Sequence, residues 1–99
     1  MIHNSFGTLV STAEVDRTVP PNIVGRLLIR HFTNDWGDLC DEDAQLNQAS
    51  LEQKNGGRIH SVYKKAHEGK TLWIITEGYG NDPKNPDMCN TTVLYPEDY

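Results

Sequence analysis

Two side chains are placed to do acid–base chemistry. His60 lies in the alternating run Arg58–Lys65, and Glu77 ends the apolar run Thr71–Glu77. A histidine beside a carboxylate is the smallest kit for a general base, because imidazole titrates near neutral pH and the carboxylate orients it. Tyr63 and Trp73 would share the same sheet-face pocket. The same residues also read as a polar strand face with cross-strand charge pairing, and that is the stronger reading. No catalytic motif supports an active site: the chain has no phosphate-binding glycine loop, no nucleophile elbow and no His-Glu-x-x-His. No catalytic residue is therefore assigned.

The metal-ligating types are His31, Cys40, His60, His67 and Cys89. Zinc sites draw on close pairs of ligands, and none of these residues is paired at that spacing. Neither a metal nor any other cofactor is expected. His31, on the apolar side of a helical repeat, reads as a packed histidine.

A third feature is electrostatic. Asp35, Asp38, Asp41, Glu42 and Asp43 place five carboxylates within nine residues, with Trp36 among them as an anchor, and Glu97 and Asp98 lie near the end. Carboxylates spaced like phosphates can fill the basic cleft of a DNA-handling protein. The cluster is equally what a capped, solvated helix start presents. The residues Gly78–Asn90 would form a long loop that could bind a partner or be a tolerated insertion.

These residues need elements to hold them. Phe6–Thr12 is rich in strand formers, and Glu14–Thr18 reads as a polar link. Pro20 and Pro21 then signal a helix start, since a proline in the first turn gives up no helical hydrogen bond. The apolar pairs Ile23/Val24, Leu27/Leu28 and His31/Phe32 repeat every four residues, which predicts a helix to Asn34 whose greasy side covers a sheet. Asp41 is expected to cap a second, mostly exposed helix to about Lys54, ended by Asn55-Gly56-Gly57. Arg58–Lys65, Thr71–Glu77 and Thr91–Tyr95 read as strands, the middle one apolar on both faces and so central. The expected fold is α+β, a single domain over residues 1–99: a small antiparallel sheet of about four strands with two helices, in the order β-α-α-β-β-β.

Composition narrows the function classes. The chain has 99 residues and a formal charge of −5, with 9 basic against 14 acidic side chains. Such a field repels a polyanion, so direct nucleic-acid binding is not expected. Arg26, Arg30, Arg58, Lys64, Lys65 and Lys70 could form no more than a local patch. No run approaches the roughly 20 apolar residues of a membrane helix. The first residues lack the charged start and apolar run of a secretory leader, so a cytoplasmic location with free thiols at Cys40 and Cys89 is expected.

From the first helix onward the sequence resembles a group of small bacterial proteins encoded on plasmids, phages and integrative elements. Some of these are labelled plasmid-related and some are labelled restriction-system subunits. The resemblance rests on His31 with Asn34-Asp35-Trp36-Gly37-Asp38-Leu39, Gly57-Arg58-Ile59 with Ser61 and Tyr63, Leu72-Trp73-Ile74-Ile75-Thr76-Glu77, and Thr91-Thr92-Val93-Leu94-Tyr95-Pro96-Glu97-Asp98-Tyr99. It covers about 70 residues. It departs from the group's pattern in the long segment between Glu77 and Thr91, where those proteins have a short turn. The resemblance implies a mobile-element setting and assigns no activity.

Together these features lead to one expectation and one alternative. The first is a non-enzymatic module that binds a protein with a basic surface, one serving DNA defence or DNA processing, through Asp35, Trp36, Asp38, Asp41, Glu42 and Asp43. The alternative is a small enzyme or ligand-binding protein using a pocket around His60, Trp73 and Glu77. The sequence leaves the oligomeric state open.

Overall fold

The computed structural model describes residues 7–53, 57–79 and 89–99. The elements are β1 (Thr8–Ser11), α1 (Ala13–Thr18), α2 (Pro21–Phe32), α3 (Asp41–Gln53), β2 (Gly57–His67), β3 (Lys70–Tyr79) and β4 (Asn90–Leu94), followed by a 3-10 turn at Pro96–Asp98. The fold is α+β. Its strands form one sheet in the order β1-β4-β3-β2.

The strongest strand of the sequence, β3, lies inside the sheet and pairs antiparallel with both β2 and β4. β2 and β3 are joined by a tight turn with positive φ at Glu68 and Gly69, the twist that a two-residue hairpin requires. The short β1 runs parallel to β4, which makes the sheet mixed rather than wholly antiparallel. A strand of four residues carries too little pattern to set its neighbour or its direction.

One face of the sheet carries the main core. Tyr63, Leu72, Ile74, Val93 and Tyr95 pack against Leu27 of α2 and against Val15 and Val19, with Ile23, Val24 and Leu28 half-buried beside them. The predicted four-residue stripe therefore faces the sheet, and Arg26, Arg30 and Thr33 face water. The segment Glu14–Thr18, read from sequence as a polar link, is instead most of α1. Thr12 accepts a hydrogen bond from the Val15 amide and starts the turn, and Val15 is fully buried. One buried residue in six gives no visible periodicity, which is why the helix escapes a sequence reading.

α3 does not lie on the face. It runs along the outer edge of β2, where Asn47 is its buried residue. Its first helical bond, from the Ala44 amide, is accepted by the Cys40 carbonyl, so Asp41 stands in the first turn and Cys40 precedes it. The ending expected at Asn55-Gly56-Gly57, and most of the long loop, fall on residues outside those described.

Candidate functional site

The acidic turn is built by the end of α2. Asn34 takes a left-handed conformation (φ 67°) that stops the helix. Asp35 then folds back onto Arg30, whose guanidinium donates to both carboxylate oxygens at 2.7 and 3.1 Å. That bond holds the Asp35 carboxyl below its ordinary range and raises the Arg30 guanidinium above its own. Arg30 also lies 4.7 Å over the Tyr63 ring, and the Tyr63 hydroxyl donates to the Asp35 carbonyl at 2.7 Å. Burial pushes that phenol up to about 12.

Gly37 sits flush on β2. Its φ is +71°, and a Cβ there would stand 2.3 Å from the Val62 carbonyl oxygen, so no other residue fits without moving the strand. The Asp38 amide donates to that carbonyl at 2.7 Å, and the Trp36 carbonyl accepts from the Val62 amide at 3.0 Å. The Asp38 carboxylate accepts the Lys64 amide at 2.8 Å. Further along the same edge, Asn47 bonds both the amide and the carbonyl of His60, and the Ser50 hydroxyl donates to the Arg58 carbonyl. From Arg58 to Lys64, the turn and α3 together act as a substitute strand.

This geometry divides the six predicted partner-binding residues. Asp35, Trp36 and Asp38 are components of the fold. Asp41, Glu42 and Asp43 are exposed, and among the described residues they make no ion pair. The Trp36 indole N–H is enclosed and meets no acceptor.

The alternative trio is spread over the helix-free face. His60 packs edge-on against Trp73 with centroids 4.8 Å apart, and Trp73 packs in the same way against Tyr99 at 5.9 Å. Burial first, and the Arg58 charge second, push the His60 imidazole below its ordinary value, with Asp43 opposing. Its Nε2 is enclosed and, among the described residues, has no hydrogen-bond partner. His60 lines a depression with Asp43, Leu46, Asn47 and Arg58, whereas Glu77 lines a different one with Ile75 and Leu94. Among the described residues the histidine and the carboxylate line separate depressions, and Tyr63 lies on the opposite face, within the core.

A different histidine has the partners of a dyad. His31 Nδ1 lies 2.6 Å from the Ser61 hydroxyl, and Nε2 lies 2.8 Å from the Thr76 hydroxyl, which in turn meets that of Thr91 at 2.7 Å. All four residues are fully buried. Burial, with a smaller contribution from His60, lowers the His31 imidazole to about 4. No substrate reaches this cluster, so it serves as a polar seam joining α2 to β2, β3 and β4. Among the described residues no three His, Cys, Asp or Glu side chains converge to hold a metal ion.

The second depression holds residues that the sequence reading did not bring together. Ile75 and Leu94 form its floor, and Glu77, Asp98, Tyr99 and Thr12 stand around it, enclosing about 330 Å³. From sequence Asp98 reads as a charge near the end and as part of the Thr91–Tyr99 segment, and nothing in Pro96-Glu97-Asp98-Tyr99 announces a turn that folds back over the sheet. No protein-family model matches the chain, and no curated protein or solved structure is significantly similar to it. Among the described residues no helix is long and apolar enough to cross a membrane.

Proposed function

We propose that this chain is a non-catalytic binding module of a bacterial mobile element, and that it docks on a basic protein partner serving DNA defence or DNA processing. The supporting observation is the division of the acidic turn. Asp35 and Asp38 have internal donors, while Asp41, Glu42 and Asp43 stand exposed on the first turn of α3 and, among the described residues, form no ion pair. Internally paired carboxylates have little left to offer a partner. Exposed ones on a rigid helix start provide long-range attraction and register. The overall charge of −5 adds to that field. A cytoplasmic setting suits such a partner.

The enzymatic alternative has less support, because among the described residues His60 and Glu77 line two separate depressions and Trp73 lines neither. The test is capture of partners from a bacterial lysate on the immobilised wild-type chain and on an Asp41→Asn, Glu42→Gln, Asp43→Asn variant. The expected result is a basic protein held at low salt by the wild type, released by about 0.5 M salt and not held by the variant. The same proteins retained by both chains at high salt would overturn the reading.

A further inference from the structure

We infer that the depression on the helix-free sheet face receives an arginine side chain from the basic partner. This rests on the reading above and gives that partner a specific contact. The enclosed volume, about 330 Å³, is at the small end of ligand sites, which suits one side chain better than a whole cofactor. The floor is apolar: Ile75 and Leu94 keep only 4% and 5% of their surface in water. Such a floor accepts the aliphatic stem of a long basic side chain while the charged head stays at the rim.

The rim is acidic and aromatic. Glu77 is exposed and, among the described residues, pairs with no cation. The Asp98 carboxylate is positioned in advance. Its Oδ2 accepts the Thr12 hydroxyl at 2.8 Å and the Tyr95 amide at 3.2 Å, which turns the group toward the depression and leaves Oδ1 for a ligand. Among the described residues no Lys or Arg lines it directly, although Arg58 reaches the Tyr99 ring.

Tyr99 supplies a π surface. Its edge contact with Trp73 steadies the ring, and the Arg58 guanidinium already lies 5.1 Å from its centroid. That guanidinium covers one face of the ring, so an incoming arginine must stack on the other face or displace Arg58. A planar, weakly hydrated guanidinium can stack on tyrosine and fork to a carboxylate together, whereas an ammonium offers only a point charge, so arginine is the better fit.

The test uses three blocked tripeptides as probes: acetyl-Gly-Arg-Gly-amide, its lysine counterpart and its citrulline counterpart, the last a neutral isostere of arginine. Each is titrated into the ¹⁵N-labelled full chain. The arginine peptide should shift the amides of Ile75, Glu77, Thr92 and Leu94 with millimolar affinity. The lysine peptide should bind several-fold more weakly, and the citrulline peptide about tenfold more weakly or worse. Glu77→Gln alters an exposed side chain and should keep the spectrum of a folded protein while weakening the arginine peptide about fivefold. Citrulline binding as tightly as arginine, lysine binding more tightly, or an unchanged affinity in Glu77→Gln would each overturn the inference. If the arginine peptide fails while salt-dependent capture through the α3 turn persists, the inference falls and the proposed function stands. If capture fails while the peptide binds, the reverse holds.

Discussion

His31 and His60 lie on opposite sides of one sheet and have opposite roles. His31 is sealed between α2 and the strands, with a hydroxyl at each ring nitrogen. His60 lies on the helix-free side, with its ring against Trp73 and an enclosed nitrogen that meets nothing. From sequence, the first reads as packing and the second as a polar strand-face residue that is also the better candidate for acid–base chemistry. The structure shows that neither has the surroundings of a catalytic base. Burial lowers the proton affinity of both rings, but only the inner one returns hydrogen bonds to the fold for it.

The same substitution should therefore have very unequal consequences at the two sites. His31→Leu keeps the volume but removes the imidazole partner of the buried Ser61 and Thr76 hydroxyls. Leaving buried hydroxyls unpaired costs about 1–3 kcal/mol each, so a loss of about 3 kcal/mol is expected, read as a fall of roughly 10–20 °C in Tm. Acid probes the same seam without mutation. The His31 ring is lowered from 6.5 in the unfolded chain to about 4 when folded, so the unfolded state binds more protons in that interval. Stability should be complete above pH 6.5 and decline as the pH falls toward 4, by on the order of 3 kcal/mol. His60 is shifted in the same direction and adds to the decline. Urea unfolding at a series of pH values checks this, and His31→Leu should show a flatter profile.

The backbone of His60 should matter more than its ring. Asn47→Ala removes the partner of both the His60 amide and its carbonyl, and should cost about 1–2 kcal/mol. Faster hydrogen exchange at the His60 amide would localise that loss to the β2 edge. The smallest effect is expected for His60→Leu. It removes an imidazole nitrogen that has no partner, so stability should stay within about 1 kcal/mol of wild type in either direction.

The fold was legible wherever burial imposes a period. The four-residue repeat from Ile23 to Phe32 marks α2 and the face it buries, and the doubly apolar Leu72–Ile75 run marks β3 as interior. The weak apolar side of α3 also had a cause. The helix meets a strand edge rather than a core, and Leu46 remains exposed. What stayed hidden depends on pairing across long separations. The direction of β1, the use of Asn47 and Ser50 as strand substitutes, and the approach of Asp98 to Thr12 have no local signature. The candidate site shows the same divide. Carboxylates can be counted from the sequence, but which of them are taken up by Arg30 and by the Lys64 amide is set by the turn at Gly37.

The stoppered rim of β2 also bears on how the protein behaves when crowded. Cross-β polymers grow only if each added molecule offers a fresh hydrogen-bonding rim at its far end. Here, from Arg58 to Lys64, that far end is already filled by the molecule's own amide, hydroxyl and carboxylate groups. Strand-to-strand addition to the native sheet is therefore one-sided and terminates at a pair, so fibril formation by this route would first require α3 to be peeled away.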